Sequence, residues 1–352
     1  MRPSKRNVLI IVIGVALLGI GVVYFFAREN ANIVVSVSQT RPSVVGLGVV
    51  TTTAQINSNN FNTTGQASPL STATTTFLSG MRMTFDEEFN TFSRYVDANG
   101  NVTCDPGGTG IWQTVYYFCS RTSPSNDEAE VYIDPGFLAY LKNESESTAE
   151  TDSDNPFAIS NGILSIKAAP SSQQVLSAVG SWAKYTSGMI TTQFSFSQQY
   201  GYFEMRAKLP AGKGLWPAFW LLPVNKAWPP EIDALEAFGA PNPQGEGGLT
   251  MIHYGSHALT SAENCGGWHD VGVDITQGFH TYGVDVEPTG ITYYFDGKPY
   301  TTCPANSAVT EPLYMIVNLA VGGTGSWPGT PGSSNVWPAY LYVDYVRAYQ
   351  KI

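Results

Sequence analysis

The 352-residue sequence predicts an all-β sandwich, and three observations lead there. Charged residues make up only 13%, while Gly, Pro, Thr, Ser, Tyr and Trp are plentiful, a mixture that suits strands joined by many turns. From Met81 onward, short runs with period two recur between Gly, Pro, Asn and Asp clusters. No long amphipathic helix stands out anywhere in that stretch.

The clearest strand is Tyr202–Leu209. Phe203, Met205, Ala207 and Leu209 point one way and Glu204, Arg206 and Lys208 the other. Further strands are expected at Ile291–Phe295, before the turn Asp296-Gly297, at Leu313–Leu319 and at Tyr340–Tyr349. Residues 81–352, about 270 in all, fit one β-sandwich domain.

The N-terminus is a separate segment. After Arg2, Lys5 and Arg6 comes Val8–Ala27, about 20 uncharged residues ending at Arg28. That length spans the hydrocarbon layer as a helix, and the leading cations place its start in the cytoplasm. Residues 1–30 are therefore expected to anchor the domain in a membrane, with the domain outside, periplasmic or at the cell surface. A cleaved signal peptide, giving a secreted protein, is the alternative. The long apolar run and the lack of an A-x-A-like site argue against it. Residues 31–80, rich in Thr, Ser and Asn, read as an extended linker, with β-structure over Ile33–Val37 and Val44–Val50 as the other reading.

Lys plus Arg total 18 against 28 Asp plus Glu, so the formal charge is 18 − 28 = −10. That excludes a nucleic-acid partner, which needs clustered cations. A neutral glycan fits better, and a monomer is expected. Cys104, Cys119, Cys265 and Cys303 match an oxidising compartment and allow three pairings, of which Cys104–Cys119 closes the short loop. None has the CxxC spacing of a zinc site.

The sharpest segment is Trp228-Pro229-Pro230-Glu231-Ile232-Asp233-Ala234-Leu235-Glu236. On a regular strand Glu231 and Asp233 share a face and Glu236 lies on the other. A β-bulge, one extra residue, returns all three to one side. Like charges gathered there raise the pKa of one member, the condition for pairing an ionised nucleophile with a protonated acid about 5–5.5 Å away. The alternative is a short helix opening at Pro229-Pro230 and ending at Gly239.

The chain here resembles glycoside hydrolase family 16 over nearly all of Met81–Ile352. Glu231–Glu236 matches the family's ExDxxE pattern in its bulged, laminarinase-like form. In family order stand Gly201–Pro210, Gly214–Trp220, Phe279–Asp285, Asn318–Gly323 and Val343–Arg347. Ser125–Tyr132 resembles a further block of the family and departs from it at Asp127, Ala129, Glu130 and Val131, in a manner nearer the bacterial exopolysaccharide-cleaving branch.

The resemblance implies a jelly roll of two curved antiparallel sheets with a glycan cleft on the concave face. It implies Glu231 as nucleophile, Asp233 as its supporting acid and Glu236 as general acid/base in a retaining endo-β-glycosidase cutting β-1,3 or mixed β-1,3/1,4 glucosidic bonds. It further implies that Asn126, Glu204, Arg206, Asn318 and His253 contact sugar. Trp216, Trp220 and Trp268 are candidate platforms for the apolar face of a sugar ring, with a core role the alternative for Trp220. A surface ion pair is the alternative for Glu204 and Arg206.

No cofactor is required. A structural calcium is the family's possible addition, with Asp344 and oxygens near Glu87–Glu88 as ligands. His253 and His257 would share a metal only on a helix, which Tyr254-Gly255-Ser256 disfavours. The Gly322–Gly329 run lacks the lysine of a phosphate cradle and reads as a loop on the cleft rim. Transglycosylation on the same glycans, and an inactive glycan-binding domain, are the rival readings of function.

Overall fold

A computed structural model describes residues 77–352, together with the backbone of three strands nearer the N-terminus. Those strands, Ile20–Val23, Val34–Gln39 and Val50–Gln55, form an antiparallel sheet within a unit of their own, Met1–Gln66. This departs from the expectation in two places. Ile20–Val23 lies inside the run expected as a membrane helix yet pairs in register with Ser36–Gln39. Val34–Gln39 and Val50–Gln55 pair where a linker was the first expectation; they overlap the alternative β reading at Val34–Val37 and Val50, and their β-branched Val and Thr residues favour strands. The rest of Val8–Ala27 lies outside the described residues. Among the described residues no helix is long and apolar enough to cross a membrane.

The unit from Ala67 to Ile352 is built on two sheets. The six-stranded sheet runs in the order Cys265–Asp270, Met251–His257, Glu231–Glu236, Leu215–Pro223, Leu313–Val321, Met189–Thr191. The ten-stranded sheet has Gly201–Lys208 and Ala339–Lys351 at its middle and Lys298–Cys303 at one edge. Among the named strands of the unit, every pairing is antiparallel except that of Glu130–Tyr132 with Tyr185–Ser187. The strands expected from periodicity are present as Gly201–Lys208, Gly290–Phe295, Leu313–Val321 and Ala339–Lys351. Asp296 and Gly297 both take positive φ, 47° and 70°, as a two-residue hairpin requires.

Alternation decides what lies between the sheets. Phe203, Met205 and Ala207 meet Phe219, Leu221, Ile232, Leu235, Ile252 and Val317 in one apolar core. Val286, where the family resemblance would have a Trp, is also buried in it. The opposite face of Leu215–Pro223 carries Trp216 and Trp220, outside this core. Three short helices, Pro135–Lys142, Glu146–Glu150 and Gln173–Val179, pack in a satellite cluster with Val131 and Ile133.

Two disulfides are present. Cys104–Cys119 closes a short loop, and Cys265–Cys303 joins the edge strands of the two sheets across 38 residues. Closing a loop of that length removes about 3–4 kcal/mol of chain entropy from the unfolded state. Replacing both Cys265 and Cys303 by Ser is expected to lower the melting temperature by roughly 6–16 °C. Thermal denaturation checks this, and an unchanged transition would show that the sheet edges hold without the link.

Candidate active site

Residues 231–236 form a strand, not a helix, and the strand contains the extra residue. Against Met251–His257, Asp233 faces Gly255 while Glu236 faces His253, three steps against two. Against Leu215–Pro223, Leu235 faces Phe219 and Asp233 faces Trp220. Ala234 is therefore the bulged residue. It and its neighbour Leu235 both enter the core, which consecutive residues of a regular strand cannot do. Glu231, Asp233 and Glu236 are left together on the other face. Gly255 makes room for them, because a Cβ there would lie 2.3 Å from Asp233 Oδ2.

The two ends of this acidic row are held differently. Trp216 Nε1 donates to Glu236 Oε1 at 3.0 Å, and His253 Nδ1 lies 3.0 Å from Glu236 Oε2. His253 packs edge-on to Trp268 and Trp327, at centroid distances of 5.3 and 4.9 Å. At the other end Trp228 Nε1 donates to Glu231 Oε2 at 3.2 Å. His257 Nε2 lies 3.5 Å from both Glu231 Oε1 and Asp233 Oδ2, an ion-pair contact rather than a short hydrogen bond.

Burial raises the Glu231 carboxyl; His257 opposes the rise and Glu236 adds to it. Burial, then the charge of Glu231, pushes Asp233 well above the usual carboxylate range. Contact with Asp233 in turn lifts His257 to about 9.

Asn318 lies under this face, 4% exposed. Its Oδ1 accepts from Trp220 Nε1 at 2.8 Å and its Nδ2 donates to Tyr132 Oη at 3.1 Å. Tyr132 contacts Glu128 Oε2 at 3.4 Å, and Asn126 Nδ2 donates to Glu128 Oε1 at 3.2 Å. The exposed Asn126 is thus tied to the acid sheet through a polar chain, not placed against the acids. Beside it lies a recess of about 600 Å³ lined by Asp127, Glu128, Trp182, Lys184 and Gly323. Trp220 packs with Tyr116, Tyr132, Tyr314 and Leu222. It shares the acids' side of the sheet and is not part of the inter-sheet core.

Glu204 and Arg206 are elsewhere, and the expectation that they grip sugar at the acids is corrected. Both lie on the ten-stranded sheet, on the face opposite Phe203 and Met205, so the whole core separates them from the acids. Glu204 is fully buried and accepts from Tyr202 Oη at 2.9 Å. Arg206 pairs with Asp344 and caps the ring of Phe279.

The same contacts give the calcium expectation no support. Asp344 is matched to Arg206 and Glu88 to Arg347, while Glu87 accepts from Phe89 N at 2.8 Å and Trp112 Nε1 at 3.1 Å. Among the described residues, Glu231, Asp233 and His257 offer three ligand atoms within 4.8 Å of one another. In this structure His257 Nε2 lies 3.5 Å from each of the two carboxylates.

Sequence reasoning missed three participants. His257 was weighed only as a metal partner of His253, although even spacing on a strand puts His253, Gly255 and His257 on one face. Trp327 lies in the glycine-rich run and joins the wall formed by Trp216, Trp268 and Phe238. Nothing in the sequence marks Trp228 as a donor to Glu231.

The chain is similar to several known proteins. The model for glycosyl hydrolases family 16 matches residues 144–347. Endo-1,3-1,4-beta-glycanase ExsH of Rhizobium meliloti (strain 1021) is 36% identical over 279 residues, 76% of this chain and 52% of that protein. Glucan endo-1,3-beta-glucosidase A1 of Niallia circulans is 31% identical over 277 residues, 72% of this chain and 40% of that protein. The chain spans about half the length of the curated relatives it matches. The laminarinase catalytic domain of Thermotoga maritima has a TM-score of 0.57 at 26% identity, covering 77% of this chain and 99% of that one. With its bulged acidic strand inside the matched span, the chain belongs to glycosyl hydrolases family 16.

Proposed function

We propose that the protein is a retaining endo-β-glucanase that cleaves internal β-1,3 or mixed β-1,3/1,4 linkages of a polysaccharide. One observation carries the reading: a single bulge gathers three carboxylates on one face and gives its two outer members different partners. Glu236, held by Trp216 and His253, is suited to trade a proton with the glycosidic oxygen. Glu231, beside a cationic imidazole, is suited to stay ionised and attack.

In the first step Glu231 bonds to the anomeric carbon while Glu236 protonates the departing oxygen. In the second, Glu236 takes a proton from water as the water displaces Glu231, and the anomeric configuration is restored. Asp233, buried behind the nucleophile, supports it. The wall of Trp216, Trp268 and Trp327 offers apolar surface to a sugar ring. The relatives named above, an endo-1,3-1,4-beta-glycanase and an endo-1,3-beta-glucosidase, support a β-glucan as substrate. The two disulfides support work outside the cytoplasm.

Glu236→Gln is expected to lower kcat on laminarin or mixed-linkage glucan by ~10²–10⁴-fold. Azide should assign the roles: Glu236→Ala with azide should yield a β-glycosyl azide, and Glu231→Ala the α-anomer. A fully active Glu231→Gln variant would defeat the reading. Trp216→Phe removes one donor that orients Glu236, so kcat is expected to fall ~10-fold with KM little changed, as steady-state kinetics would show.

A further inference from the structure

His257 stands beside the nucleophile, and its relation to the second buried acid, Asp233, is what the two catalytic steps leave open. Its place is specific. It is the cross-strand partner of Glu231, in register, on the strand that also carries His253. The bulge divides the two histidines between the two ends of the row: His253 faces Glu236, after the extra residue, and His257 faces Glu231, before it. Its Nε2 stands equally far, 3.5 Å, from Glu231 and Asp233. The Trp228 ring packs on it at 5.9 Å while donating to Glu231.

The remaining neighbours supply no competing charge at that distance. Asn306 Nδ2 donates to the His257 carbonyl at 2.8 Å, and Glu263 on the adjoining loop is engaged by Ser307 Oγ at 2.7 Å. Tyr116 and Tyr314 near Glu231 are kept neutral by burial. The charges acting on the imidazole are Asp233, Glu231 and Glu236, all of one sign and all on the acidic strand.

Building on the retaining reading, we propose that His257 is a positioning residue for the nucleophile: an imidazolium set between Glu231 and Asp233 as their shared counter-charge. Two buried carboxylates side by side cannot both stay ionised without one, since burial and mutual repulsion act in the same direction. The position between the two carboxylates also serves the covalent stage. Once Glu231 becomes a neutral glycosyl ester, its repulsion of Asp233 is gone, which favours ionised Asp233 as the partner of the imidazolium. The titration of His257 near 9 keeps this cation present across the neutral range and removes it only as pH rises through that value.

The test compares His257→Gln with His257→Lys, reading the pH profile of kcat/KM on laminarin and thermal melting of each variant. Loss of the cation disfavours ionised Glu231, so the acidic limb of His257→Gln should move up by about one pH unit, with ~10-fold lower kcat/KM one unit below the native limb. His257→Lys, which keeps a positive charge, should hold the limb near its native position. An NMR titration of the native protein should show one imidazole changing charge near pH 9, and His257→Gln should lack it. An unmoved acidic limb in a folded His257→Gln overturns the proposal, as does a limb displaced equally in both variants. Glu231→Ala with azide separates the two readings. An α-glycosyl azide from that variant beside an unmoved limb in His257→Gln sinks only the role of His257, whereas full activity without Glu231 sinks both.

Discussion

One inserted residue governs the chemistry of this domain. Without Ala234 as a bulge, Glu236 would turn toward the inter-sheet core and Leu235 toward solvent. The bulge is held from below: Ile232, Ala234 and Leu235 are all buried, and burying a side chain the size of Ile or Leu is worth about 1.5–3 kcal/mol. It is opposed from above, because two like charges about 5 Å apart repel by on the order of 3 kcal/mol at an effective dielectric near 20. Terms of this size nearly balance. The row of acids therefore depends on the donors that surround it as much as on the core beneath it.

Those donors are arranged unequally, and the inequality separates two roles that identical side chains could not divide by themselves. Glu236 sits among Trp216, His253 and the aromatic wall that includes Trp268 and Trp327. Glu231 and Asp233 sit against His257, beneath the Trp228 ring. The strand Met251–His257 serves both ends, presenting one histidine to each outer acid, with Gly255 between them leaving space for Asp233. A single hairpin neighbour thus supplies the environment that distinguishes the two glutamates.

The ten-stranded sheet shows the same residue types at other work. Glu204, Arg206 and Asp344 occur in blocks that resemble the family as strongly as the acid strand does. Yet they face away from the inter-sheet core, Glu204 accepting from Tyr202 and Arg206 pairing with Asp344 and the ring of Phe279. Likeness of sequence blocks marked the strand and could not tell on which sheet it lies.

What the sequence determined by itself was local and periodic. Alternation along Tyr202–Leu209 and Leu313–Leu319 marked strands, and three acids in six residues required one extra residue to share a face. These are consequences of backbone geometry that neighbouring residues express together. Which elements meet was settled by folding. The pairing of Glu231 with His257, the removal of Glu204 to the far sheet, the joining of Cys265 to Cys303 and the strands at Val34–Gln39 and Val50–Gln55 all depend on contacts between distant segments. A side chain's chemistry is written in its own position, but its charge state and task depend on partners that folding brings from elsewhere in the chain.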